Sequence, residues 1–96
     1  MTLDAFKQTT SQNQPPNDLN PFLLSLWFDA KGDWERSHEI IQELEDKSSA
    51  WIHAYLHRKE GDTMNADYWY RRAGRTRPIQ SLEEEWNSIA SALLNS

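Results

Sequence analysis

Cysteine is absent from the 96 residues, which excludes disulfide frameworks and thiolate metal sites. Glycine and proline are scarce, three and four residues, so obligatory turns are few. No apolar run approaches the roughly 20 residues that span a bilayer. Met1 to Pro16 lacks a basic start, an apolar stretch and a cleavage site, so no signal peptide and a cytoplasmic setting are expected. Basic residues do not dominate either: ten Lys and Arg stand against fifteen Asp and Glu, a formal charge of −5. That balance disfavours nonspecific nucleic-acid binding. Arg71, Arg72, Arg75 and Arg77 do cluster, but beside Glu83, Glu84 and Glu85. They are read as cations complementing a helix end, since a nucleic-acid interface needs a basic face. There is no glycine-rich phosphate loop, nucleophile elbow or Cys nucleophile. No catalytic residue, cofactor, metal, nucleic acid or membrane is assigned on these grounds.

What the chain does have is aromatic bulk: five Trp, three Phe and three Tyr. Each such ring buries about 150–250 Å², enough for the one modest core that a single domain of this length holds. Residues 1–19 are rich in Gln, Asn, Thr, Ser and Pro and read as a flexible tail, whose Leu3 and Phe6 are able to dock on a domain spanning 20–96. Asn20-Pro21 supplies an N-cap followed by a first-turn proline, opening a helix that stops at Gly32. Asp33 caps a second helix, from Trp34 to about Glu45, with Trp34, Ile41 and Leu44 at helical spacing. Ser48 or Ser49 opens a third, ending at Gly61. Asp62 caps a fourth, from Thr63 to about Ala73, closed by Gly74 and Pro78. Ser81 with Glu84 matches a capping box and starts a fifth helix striped by Leu82, Trp86, Ile89 and Leu93. No segment alternates with period two over a strand's length. The expected class is all-α, with five helices.

The chain repeats itself. Lys31-Gly32-Asp33 returns as Glu60-Gly61-Asp62, 29 residues on, and at the same offset Ser25, Ser37 and Ile41 match Ala54, Ala66 and Tyr70. Small residues recur where helices approach closely, and large ones where they pack. In the second copy Ala54, Gly61-Asp62, Ala66, Tyr70, Ala73 and Pro78 fall at tetratricopeptide-repeat spacings, and the first copy follows through Leu24, Ser25, Phe28, Gly32, Trp34 and Ser37. Residues 20–78 therefore resemble that family. Leu44 departs from the motif, and 29 residues is shorter than its roughly 34. The resemblance implies two helical hairpins in a right-handed superhelix, with the fifth helix as a solvating cap. The segments from Trp27 to Trp34 and from His53 to Asp62 also resemble a group of small bacterial proteins.

Two constellations could carry function. His53, His57 and Glu60 lie at i, i+4 and i+7, one stripe of a helix at about 100° per residue. Imidazoles four apart can chelate a transition metal, although Ala54 after His53 means this is no HExxH motif. The first copy holds Leu24 and Phe28 at the matching positions, so both histidines are expected to be partly buried in a polar network. His38, Tyr70, Glu39, Asp67 or Trp indoles are its candidate partners. The tetratricopeptide resemblance further implies a peptide groove on the inner faces, lined by Trp51, Tyr55 and Arg58 and by Phe22, Leu26 and Asp29. Aromatic and Arg side chains are common interface anchors. A protein-protein interaction module is the first expectation, with a metal-binding or enzymatic protein and a self-associating subunit as alternatives. Self-association is suggested by the first helix, whose Phe22, Leu23, Leu24, Leu26, Trp27 and Phe28 leave it apolar on nearly every side, so that it must be covered.

Overall fold

A computed structural model describes residues 1–95; Ser96, the end of the expected 20–96 domain, lies outside them. The described residues form six helices and no strand: α1 (Leu3–Thr9), α2 (Pro21–Ala30), α3 (Trp34–Gln42), α4 (Lys47–Glu60), α5 (Thr63–Arg72) and α6 (Leu82–Leu94). The all-α class stands, and the count of five is corrected to six by α1. No helix is long and apolar enough to cross a membrane.

Each helix begins where a short polar side chain accepts a backbone N–H that the helix cannot satisfy. Asn20, Asp33, Asp46 and Asp62 do this for α2 to α5, at 2.9, 3.1, 2.8 and 3.3 Å. Asp46 displaces the expected Ser48 or Ser49 as cap, so α4 starts at Lys47. At α6 the capping box is complete: the Glu84 amide donates to Ser81 Oγ at 3.0 Å and the Ser81 amide to the Glu84 carboxylate at 2.9 Å.

The repeat is visible in the turns. Gly32 and Gly61 both take a left-handed backbone, φ 85° and 90°. At both, the following Asp amide donates 2.9 Å back to the carbonyl five residues earlier, Phe28 or His57, the Schellman pattern that lets a helix stop and turn. The hairpins α2–α3 and α4–α5 thus share one turn. At their crossings sit small buried pairs. Ser25 Oγ bonds the Ser37 carbonyl and hydroxyl at 2.9 and 2.8 Å, where the second hairpin packs Ala54 on Ala66.

α6 lies across both hairpins and delivers Trp86, Ile89 and Leu93 to a core that includes Leu23, Leu26, Trp27, Ile52 and Leu56. Phe6 of α1 is fully buried and stacks on Trp86, centroids 5.6 Å apart and planes 8° apart. The Trp27 indole donates to the Thr9 carbonyl at 3.1 Å and Lys31 to the Gln12 carbonyl at 2.8 Å. This is how the apolar α2 is covered within one chain.

Truncating a buried Phe removes its transfer energy and leaves a cavity. Phe6→Ala is expected to lower unfolding free energy by about 3 kcal/mol in a urea titration. A loss below about 0.5 kcal/mol would mean that α1 lies outside the cooperative unit.

Candidate functional site

α3 and α4 face each other with three histidines between them. His53 and His57 stand one turn apart on α4, and His38 reaches across from α3. His53 and His57 are 6% and 7% exposed, and His38 is half-buried. One ligand nitrogen from each ring lies within 4.8 Å of the others. His38 Nε2 and His53 Nε2 are 2.9 Å apart, so one donates and the other accepts. Asn65 donates its amide to His57 Nε2 at 3.4 Å. His57 Nδ1 lies 3.5 Å from the Glu60 carboxylate without hydrogen-bonding geometry, which leaves that buried nitrogen unpartnered.

Aromatic rings wall the cluster. Trp34, one turn before His38, stacks on it at 4.9 Å, and Trp69 of α5 stacks on His53 at 3.9 Å. The Trp34 indole N–H is engaged elsewhere, with the Leu56 carbonyl at 2.8 Å. Burial pushes His53 down to about 3, helped by the charge that protonated His38 or His57 would place beside it. His38 is lowered for the same reasons, burial first and His57 second, with Glu60 and Glu39 opposing. Both rings are therefore neutral near pH 7, with a nitrogen lone pair that can coordinate.

The expected stripe of His53, His57 and Glu60 is regrouped. His38 joins the two histidines, while Glu60 falls in a second set with buried His57 and exposed Asp62. Tyr70 does not enter the network: its hydroxyl donates to both oxygens of Glu85 at 2.7 and 2.8 Å. Asp67 pairs with Arg77 at 3.2 Å, and Glu39 is exposed. His38 was legible only as one candidate partner; its place in the cluster depends on how α3 packs on α4.

The expected peptide face is turned inward. Leu26 is fully buried, Tyr55 is 2% exposed, and Phe22 packs on the core. Trp51 and Arg58 donate to Glu85 at 3.2 and 2.8 Å, and Arg58 also bonds the Gln80 carbonyl. Tyr55 donates to Asp29 at 2.7 Å, and Lys59 pairs with the same carboxylate at 2.9 Å. Burial and their carboxylate partners push the Tyr55 and Tyr70 hydroxyls well above the ordinary phenol range. α6 thus packs against the α2 and α4 residues of this face. Glu85 was missed as a buried group, although it lies on the helical phase of Leu82 and Ile89.

No protein-family model matches the chain, and neither curated proteins nor solved structures give a significant match. The geometry of the site carries the argument alone.

Two outcomes follow. Removing one side of a buried ion pair strands the other charge, so Glu85→Ala should cost roughly 3–5 kcal/mol in denaturant titrations. A loss under about 1 kcal/mol would indicate solvent access to Arg58. For His53, the unfolded ring takes up a proton near its ordinary 6.5, whereas the folded ring waits until about 3. Stability is thus greatest above about pH 6.5 and declines as pH falls toward 3, by at most about 1.4 kcal/mol per unit for this ring. Melts between pH 7.5 and 4.5 should show a flatter slope for His53→Gln than for the natural chain; equal slopes would acquit this histidine.

Proposed function

We propose that this chain is a small helical-repeat protein that binds a divalent transition metal ion of zinc type through His38, His53 and His57. The observation that carries the reading is the convergence of three imidazoles from two helices, with ligand nitrogens within 4.8 Å and one buried nitrogen unpartnered. The first hairpin acts as an internal control. It fills the positions of His53 and His57 with Leu24 and Phe28, so the fold itself does not require imidazoles there. Imidazole donors suit Zn, Cu, Ni and Co, whereas Mg and Ca prefer oxygen. Around a tetrahedral ion at about 2.0–2.1 Å the donor nitrogens stand roughly 3.3 Å apart. The 2.9 Å His38–His53 contact has to open slightly and the longer separations have to close, by side-chain adjustment. Three histidines leave a fourth position for water or a carboxylate, and Glu60 and Asp62 lie on the His57 side.

The scaffold is read, in the same proposal, as a tetratricopeptide-like right-handed superhelix with α6 as its cap. The shared Gly-Asp turns of α2–α3 and α4–α5 and the matched small pairs at their crossings support it.

A ligand held only by the folded state at 100 times its Kd adds about 2.7 kcal/mol, several degrees for a domain of this size. Chelator-stripped protein should therefore melt several degrees higher with Zn²⁺, Co²⁺ or Ni²⁺ and be unmoved by Mg²⁺. His38→Ala, at a half-buried site, should fold and lose that rise. A flat response of the natural chain, or a rise that survives His38→Ala, would sink the proposal.

A further inference from the structure

On the far side of α4 from the histidines, α1, α2, α4 and α6 enclose an open cleft of about 330 Å³. Its position and residues make it independent of the metal proposal. Two charged groups of its lining need explanation. Lys7 of α1 and Glu83 of α6, both exposed, line this cleft without an ion-pair partner among the described residues. Asp29 does not compete for these groups, because Tyr55 and Lys59 already engage both of its oxygens. Trp86 and Leu82 also line the cleft.

We infer that this cleft binds a small zwitterion of amino-acid type, from a free apolar amino acid to a dipeptide. Lys7 takes the carboxylate, Glu83 takes the ammonium, and Trp86 with Leu82 packs the apolar side chain. The charges lining the cleft balance, Lys7 and Lys59 against Asp29 and Glu83, which selects against a plain anion or a plain cation. The volume sits at the lower end of the roughly 300–1,000 Å³ of small-molecule sites, which fits an occupant of this size. Because Lys7 belongs to α1, occupancy also ties that helix to α6 through the ligand.

The test is calorimetric or NMR titration of the full chain with L-phenylalanine, L-leucine and leucyl-phenylalanine. Phenethylamine, 3-phenylpropionate and N-acetyl-phenylalaninamide remove the carboxylate, the ammonium or both. Saturable binding of at least one zwitterion is expected with Kd below about 1 mM, and about tenfold weaker or worse for every analogue lacking a charge. Lys7→Met and Glu83→Gln, at exposed positions whose melting temperature is checked, should each weaken zwitterion binding by about tenfold. The proposal falls if no zwitterion saturates by about 10 mM. It falls equally if a singly charged or neutral analogue binds as well, or if both variants bind like the natural chain.

Discussion

The Glu85 carboxylate, on a residue only 1% exposed, is the interaction on which the arrangement of the helices depends. It sits in the first turn and a half of α6 and gathers an indole and a guanidinium from α4 and a phenol from α5. Withdrawing α6 would leave Arg58 beside a vacated apolar groove and Tyr70 without an acceptor. Buried ion pairs add little net stability compared with apolar packing, but breaking one is expensive. What Glu85 contributes is registry. With its donors aimed at one point, α6 can seat at one height and one rotation along α4. Asp29 repeats the device on α2, where Tyr55 and Lys59 of α4 converge on a carboxylate that is 2% exposed.

That registry decides which surfaces remain free. α6 packs against α2 and α4, so Trp51, Tyr55 and Arg58 are engaged internally. Trp51 shows the consequence at the edge: its indole faces Glu85 while Arg75 lies over its ring at 3.4 Å. The opposite side of α4 meets α3, and there the polar groups are imidazoles. α4 is thus buried by different means on different sides, ion-paired toward α6, neutral toward α3, and packed through Ala54 on Ala66 of α5.

Much of the fold was legible because it is local. An N-cap, a turn glycine or a capping box acts within four residues, and Asn20, Asp33, Gly32, Gly61 and Ser81 behave as their positions suggest. α1 was not legible as a helix: it has seven residues, one buried ring and a polar composition. Its order comes from Phe6 meeting Trp86, eighty residues along the chain. Glu85 was obscured for a similar reason. Three consecutive acids at a helix start read as solvated groups complementing the dipole, and only the position of α4 turns the third one inward. The His53–His57 pair was legible from its spacing, whereas His38 required the α3–α4 packing. Glu60 reaches His57 at 3.5 Å but groups with it and exposed Asp62 rather than with His38 and His53.

The electrostatics around the histidines favour a cation more than the rings alone suggest. His57 lies in the last turn of α4, at the negative end of the helix dipole. Glu60 and Asp62 stand beside it, and Glu39 and Glu60 both act on His38 in the sense that favours positive charge. The opposing terms are burial and the mutual repulsion that protonated rings would suffer. A proton added to one imidazole brings charge without relieving the others. A metal ion shared by three imidazoles is screened by the lone pairs it engages, so the same acidic surroundings act on it with the desolvation already offset by coordination. Arg72 lies over the ring of Trp69 at 5.1 Å, the same indole that stacks on His53. Burial therefore opposes a proton on any one ring, and a divalent ion would need all three imidazoles to offset the same cost.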